Sequence, residues 1–112
     1  MALPHLHPGQ VADVTAFGDL LSQQTTVALF KAKHLEVIRL VLQSKQTLPE
    51  HKVPGEVTIY CIEGKLELSL PSGPVNLLPG QLMFLNSNLP HGVIALQPSS
   101  ALVTISLPNG DR

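Results

Sequence analysis

Imidazole is the side chain whose proton comes and goes near neutral pH, and it is also the commonest protein ligand of transition metals. The chain carries five histidines, and two of them stand in matching surroundings. His51 lies in LPEHKVPGEVTIYCIEG (residues 48–64) and His91 in LPGQLMFLNSNLPHG (residues 78–92). Each sits at the edge of an apolar, strand-like run punctuated by proline and glycine. Brought together, two such rings could share a metal, move a proton, or make the polar contacts of a small ligand. Proton chemistry wants an orienting carboxylate, and Asp13, Asp19 and Asp111 all lie away from both stretches. Glu50 adjoins His51, but neighbouring residues of an extended strand face opposite ways. His5 and His7 form an H-x-H pair in an arm broken by Pro4, Pro8 and Gly9, a poor place to hold a metal.

The remaining composition narrows the field. At 112 residues the chain makes one domain with room for one core. Charged residues are 13% of it, against about 25% in an average protein, which fits an all-β or oligomeric protein that hides much of its surface. A net charge of -1 leaves no basic stripe for phosphates, so nucleic acid is not an expected partner. No apolar run approaches the ~20 residues of a membrane helix. The first ten residues have neither the basic region nor the apolar core of a secretory signal. Cys61 is the single cysteine, so no internal disulfide forms, and the expected compartment is the cytoplasm.

The elements that must position the histidines read as strands. Residues 1–24 form an arm with a short strand at 11–16 and a turn of helix at 17–24; residues 25–112 form the barrel. Strands are expected at 25–31, 35–43, 57–62, 65–70, 75–78, 81–85, 92–96 and 101–107. Between them fall turns at Glu63-Gly64, residues 71–74, Pro79-Gly80 and residues 97–100. Many short strands with such punctuation make a sandwich or barrel. In the strand after Pro54-Gly55, residues 57, 59 and 61 share one face, and Tyr60 falls on the other, in a second layer or a subunit interface. Within the strand at 35–43, Arg39 reads as a snorkelling or dimer-face side chain, with anchoring of an anionic ligand as the alternative. His34 reads as an exposed edge residue.

These stretches resemble the two motifs of the cupin superfamily. The first motif runs Gly, His-x-His, Glu, Gly, and the second Gly, Pro-x-Gly, His, Asn. His51 matches the first histidine and Gly64 the closing glycine, while Val53 stands at the second histidine position and Val57 at the glutamate position. In the second motif Gly80 and His91 match; Asn86 and Asn88 replace the proline and glycine, and Ala95 the asparagine. The resemblance covers about residues 35–107. It implies an all-β cupin double-stranded β-helix, the RmlC-like jelly-roll barrel, and a homodimer.

Cupins that hold iron, manganese or nickel use three histidines and a glutamate, and here only His51 and His91 remain. Two imidazoles are too few for a tight first-row metal site, so the expected cofactor is none, with a weakly bound divalent transition metal on these two residues as the alternative. Glu56 neighbours the glutamate position, and a one-residue slip would bring it inward. By parity and resemblance the ligand-binding wall comprises His51, His91, Val53, Val57, Ile59, Cys61 and Met83, with Leu85 and Val93 beside them. Cys61 and Met83 also read as plain core. Three functions fit: a barrel that binds a small molecule without a tight metal site, an enzyme using His51 and His91 (a metal-dependent dioxygenase or isomerase, or a metal-free isomerase with a histidine as base), and a regulatory or structural cupin with a vestigial pocket. The residues leave open whether any reaction is catalysed.

Overall fold

A computed structural model describes residues 6–110. A short 3-10 helix (Gly18–Gln23) precedes seven strands: β1 (Val27–Lys31), β2 (Leu35–Leu42), β3 (Thr47–His51), β4 (Val57–Leu70), β5 (Gly73–Leu77), β6 (Leu82–Leu85) and β7 (His91–Ser106). The long strands β4 and β7 run antiparallel from Val57 opposite Ile105 to Ser69 opposite Gly92. Their neighbours change halfway. Around one end the order is β1-β2-β7-β4-β6; around the other it is β3-β7-β4-β5. Each long strand thus serves two layers, and the layers face each other across one core. Leu40 of β2, Ile59 and Leu68 of β4, Leu77 of β5, Leu85 of β6 and Val93 of β7 all belong to it. This is the expected all-β jelly-roll barrel.

The bend in the long strands is where sequence and structure part. The expected turns at Glu63-Gly64 and at 97–100 are instead interruptions within β4 and β7, whose register shifts between Cys61 and Leu66. An extra residue in one strand bends it and leaves backbone groups unpaired. Buried Ser99 takes up those groups: its Oγ accepts from the Lys65 amide at 2.9 Å and donates to the Gln97 carbonyl at 2.7 Å. Gly64 takes φ +91, and a Cβ there would overlap the Pro98 carbonyl, so only glycine fits.

Two smaller expectations also change. Residues 11–16 form no strand; the segment lies against the barrel as irregular chain, followed by the 3-10 helix whose Leu21 is buried. The polar stretch 44–50 contains most of β3, an edge strand, where Pro49 can be tolerated. Among the described residues, no helix is long and apolar enough to cross a membrane.

Candidate functional site

Where β3 ends and β7 begins, His51 pairs directly with His91. Their ring centroids are 4.5 Å apart and the planes tilt by 53°. His91 is only 5% exposed, while His51 is open to solvent. Each ring is fixed in the same way. Nδ1 of His51 lies 3.1 Å from the Pro49 carbonyl, and Nδ1 of His91 lies 3.0 Å from the Leu89 carbonyl. A carbonyl oxygen can only accept, so Nδ1 carries the proton in both rings. Among the described residues Nε2 has no hydrogen-bond partner in either ring, and on a neutral ring it is a lone-pair acceptor.

The loops around this pair are tied to each other. Asn88 stands in the left-handed region, φ 61, a conformation that asparagine tolerates better than most residues. It keeps the backbone that a glycine would supply at that motif position. Its amide donates to the Val53 carbonyl at 2.8 Å, joining the loop before β7 to the loop before β4. Gly55 lets the latter close over the end of β7, because a Cβ there would overlap the Ser106 carbonyl.

Beneath the histidines lies a cavity of about 210 Å³ inside the barrel. Ile38 and Leu40 of β2, Leu48 of β3 and Val57 and Ile59 of β4 form part of its wall. Val53, Thr26 and three β7 residues, Val93, Val103 and Ile105, complete it with the two histidines. Thr26 offers no proton to a ligand, since its Oγ1 donates to the Val41 carbonyl at 3.1 Å while accepting from the Val41 amide at 2.9 Å. Two larger depressions lie elsewhere, one beside Pro108 and one beneath Pro8, and neither includes His51 or His91.

The structure therefore brings His51, His91, Val53, Val57, Ile59 and Val93 around one space. It does not bring Cys61, Met83 or Leu85 there. Cys61 is fully buried in the core, its Sγ donating to the Glu63 carbonyl at 3.5 Å, and burial pushes its pKa above the ordinary thiol value. Met83 packs against the same core. Both share the inward parity, but parity gives the face of a strand and not the depth along it. Ile38, Leu40, Leu48, Thr26, Val103 and Ile105 went unassigned in the sequence because none of them stands at a motif position; the alternation of Ile38 and Leu40 about Arg39 was the available signal.

As a metal centre the donor set does not fit. Among the described residues no three of His, Cys, Asp or Glu come together. Val53 and Val57 line the cavity where a second imidazole and a carboxylate would be needed, and Glu56 is exposed rather than slipped inward. Of the H-x-H pair, His5 lies outside the described residues and His7 is exposed. His34 is exposed at its strand edge, as expected, with Nδ1 3.2 Å from the Leu107 carbonyl.

Arg39 corrects its expectation too. It neither snorkels nor faces the cavity, and is 4% exposed on the outer side of the sheet, under the segment that precedes β1. Its Nη2 donates to the Thr15 carbonyl at 2.8 Å and to Ser100 Oγ at 3.1 Å, the guanidinium lies 4.1 Å from the Phe17 ring centre, and Glu63 Oε2 is 3.6 Å away. Glu63 in turn accepts from the amides of Phe17 and Gly18 at 3.0 and 3.1 Å and from the Ser100 hydroxyl. Burial raises the Glu63 pKa, but the Ser100 hydroxyl, those amides and Arg39 outweigh it and hold the carboxyl below its ordinary value. Desolvation lowers the Arg39 pKa, though a guanidinium stays charged. The sequence hid this clamp because its members are far apart in the chain.

The model of the Cupin domain matches residues 38–107. No protein of curated function matches the sequence. Among solved structures, a conserved protein of unknown function from Streptococcus pyogenes is similar over 96% of both chains, with a TM-score of 0.75 at 18% identity. An RmlC-like cupin protein from Desulfovibrio desulfuricans covers 91% of this chain and 97% of its own, with a TM-score of 0.68 at 23% identity. The polyketide cyclase RemF from Streptomyces resistomycificus covers 73% of this chain and 63% of its own, with a TM-score of 0.66 at 23% identity. These likenesses concern the fold.

Proposed function

The chain belongs to the cupin domain family, and from that premise we propose that its barrel binds a small, partly apolar molecule, with His51 and His91 supplying the polar contacts and no tight metal centre. The observation that carries this reading is the cavity of about 210 Å³ with apolar walls and two histidines at its edge. A concave apolar space with a few convergent polar groups is the usual form of a small-molecule site. Binding is favoured over catalysis by the surroundings of the histidines. Among the described residues no carboxylate orients either ring, since each Nδ1 is held by a backbone carbonyl.

Thermal-shift screening with fragment-sized apolar compounds tests the reading. A ligand of the cavity raises the melting temperature by mass action, and His51→Ala and His91→Ala remove the effect. Shifts that survive both substitutions remove the histidines from the site. Elemental analysis of protein purified without added metal tests the other half, and stoichiometric iron, manganese, nickel or zinc overturns it.

The outer face of the barrel supports a homodimer. Tyr60, Leu82 and Phe84 are 40%, 64% and 57% exposed on neighbouring strands, with Tyr60 directly opposite Leu82. Monomers seldom leave large apolar side chains clustered in water. A second copy of the chain is the proposed cover.

A further inference from the structure

We propose that the ligand class of this barrel is a compact monohydroxylated aromatic, a phenol, bound with its O–H at the histidines and its ring inside the apolar walls. The inference rests on the binding reading above and narrows it by an inventory of hydrogen-bonding atoms. Both Nδ1 atoms are occupied by backbone carbonyls, which fixes the proton on them. With neutral rings, Nε2 of His51 and Nε2 of His91 are acceptors. Among the described residues Thr26 is the only other lining side chain with a polar atom, and its one proton is spent on the Val41 carbonyl. The wall therefore offers acceptors and no side-chain donor.

That one-sided inventory selects among small molecules. A ketone or ether would set its own lone pairs against Nε2 and gain no hydrogen bond. A sugar would carry several hydroxyls against valine and isoleucine, each losing its water without replacement. An alkane or plain arene would fill the walls and leave Nε2 unpartnered. A phenol satisfies both demands, because its hydroxyl donates and its ring is apolar. The size agrees: an apolar cavity of about 150 Å³ takes benzene, and this one measures about 210 Å³, enough for a ring with a small substituent. Burial orders the contact as well. His91, nearly enclosed, meets the hydroxyl on the cavity side, and His51, exposed, stands over it at the solvent side.

Three molecules of matched shape test the proposal: 4-methylphenol, 4-methylanisole and toluene. Titrations at pH 8 use the full chain, where an ordinary imidazole is neutral and a phenol keeps its proton. Binding is followed by amide chemical shifts, and the imidazole nitrogens by long-range nitrogen–proton spectra. The expected result is that 4-methylphenol binds at least tenfold more tightly than the other two and moves the Nε2 resonance of His91. In His91→Ala, and separately in His51→Ala in case the first fails to fold, that preference shrinks while toluene still binds. Equal affinity for all three overturns the phenol inference and leaves cavity binding standing. No binding by any of the three overturns both. Retained preference in both variants places the hydroxyl elsewhere and overturns the inference.

Discussion

Two polar groupings sit on opposite sides of the same sheet, and they are built on different terms. Outside, Arg39 and Glu63 are knit to Thr15, Phe17, Gly18 and Ser100, and among the described residues only Arg39 Nε is buried without a partner. Inside, His51 and His91 each use one nitrogen to hold themselves still and leave the other unbonded. Polar atoms that find partners within the chain stabilise the chain; polar atoms held rigid and left open are free to meet water or the ligand proposed above. The histidine conformations alone do not draw this distinction. It comes from following each hydrogen bond to its end.

The largest expected effect falls on the outer grouping. Glu63→Ala leaves Arg39 buried without its ion-pair partner, with Asp13 as the remaining carboxylate acting on it, and strips two amides and a hydroxyl of their acceptor. A loss of about 3–5 kcal/mol in urea unfolding is expected, the range for breaking one side of a buried pair. A loss below about 1 kcal/mol would show the clamp to be ornamental. The converse experiment adds donors inside. Val53→His with Val57→Glu restores the four-ligand pattern, so zinc or nickel affinity is expected to rise at least tenfold over the parent chain by competition with a chelator. An unchanged affinity would mean that the two histidines are not aimed at a common point.

Acid sharpens the same contrast. Because the folded Glu63 pKa lies below the unfolded carboxylate value of about 4.3, its stabilisation is complete above that value. It is lost as the pH falls through the lower, folded value. Urea midpoints measured from pH 7 to pH 3 are expected to fall more steeply for the parent than for Glu63→Gln, and parallel curves would remove Glu63 from the acid response. On the bare outer patch, Phe84→Glu is expected to convert a dimer to a folded monomer in sedimentation, with the circular dichroism spectrum unchanged. A parent chain that already sediments as a monomer would end the dimer proposal. The smallest effect belongs to His51→Ala. Its exposed ring stabilises little, so a change within about 0.5 kcal/mol is expected; a loss comparable to that of Glu63→Ala would make His51 a structural residue.

How much of this was legible in the sequence follows from the range of each signal. Alternation places Val57, Ile59 and Cys61 inward and Tyr60 outward, because a strand repeats every two residues whatever surrounds it. Alternation says nothing of depth, and Cys61 lies about 13 Å beyond Val57 along the strand, past the floor of the cavity. The meeting of His51 and His91 was readable only through the likeness to a family. Glycine and proline at 64 and 98 announced breaks; the structure keeps the strands whole because Ser99, distant in sequence from Lys65, repairs the pairing. β3 was missed since polar edge residues carry no hydrophobic rhythm. The Arg39–Glu63 clamp has no local sequence signal at all.

The two long strands have a further consequence for how the protein comes apart. With β4 and β7 common to both halves, neither half has a boundary along which to detach. Slow-exchanging amides are therefore expected to run the length of both strands with similar protection, and to vanish together in one cooperative transition. Opening wide enough to admit a bulky guest would then approach the cost of global unfolding, so the ligand proposed above would have to be one that passes between the histidine rim and its two loops.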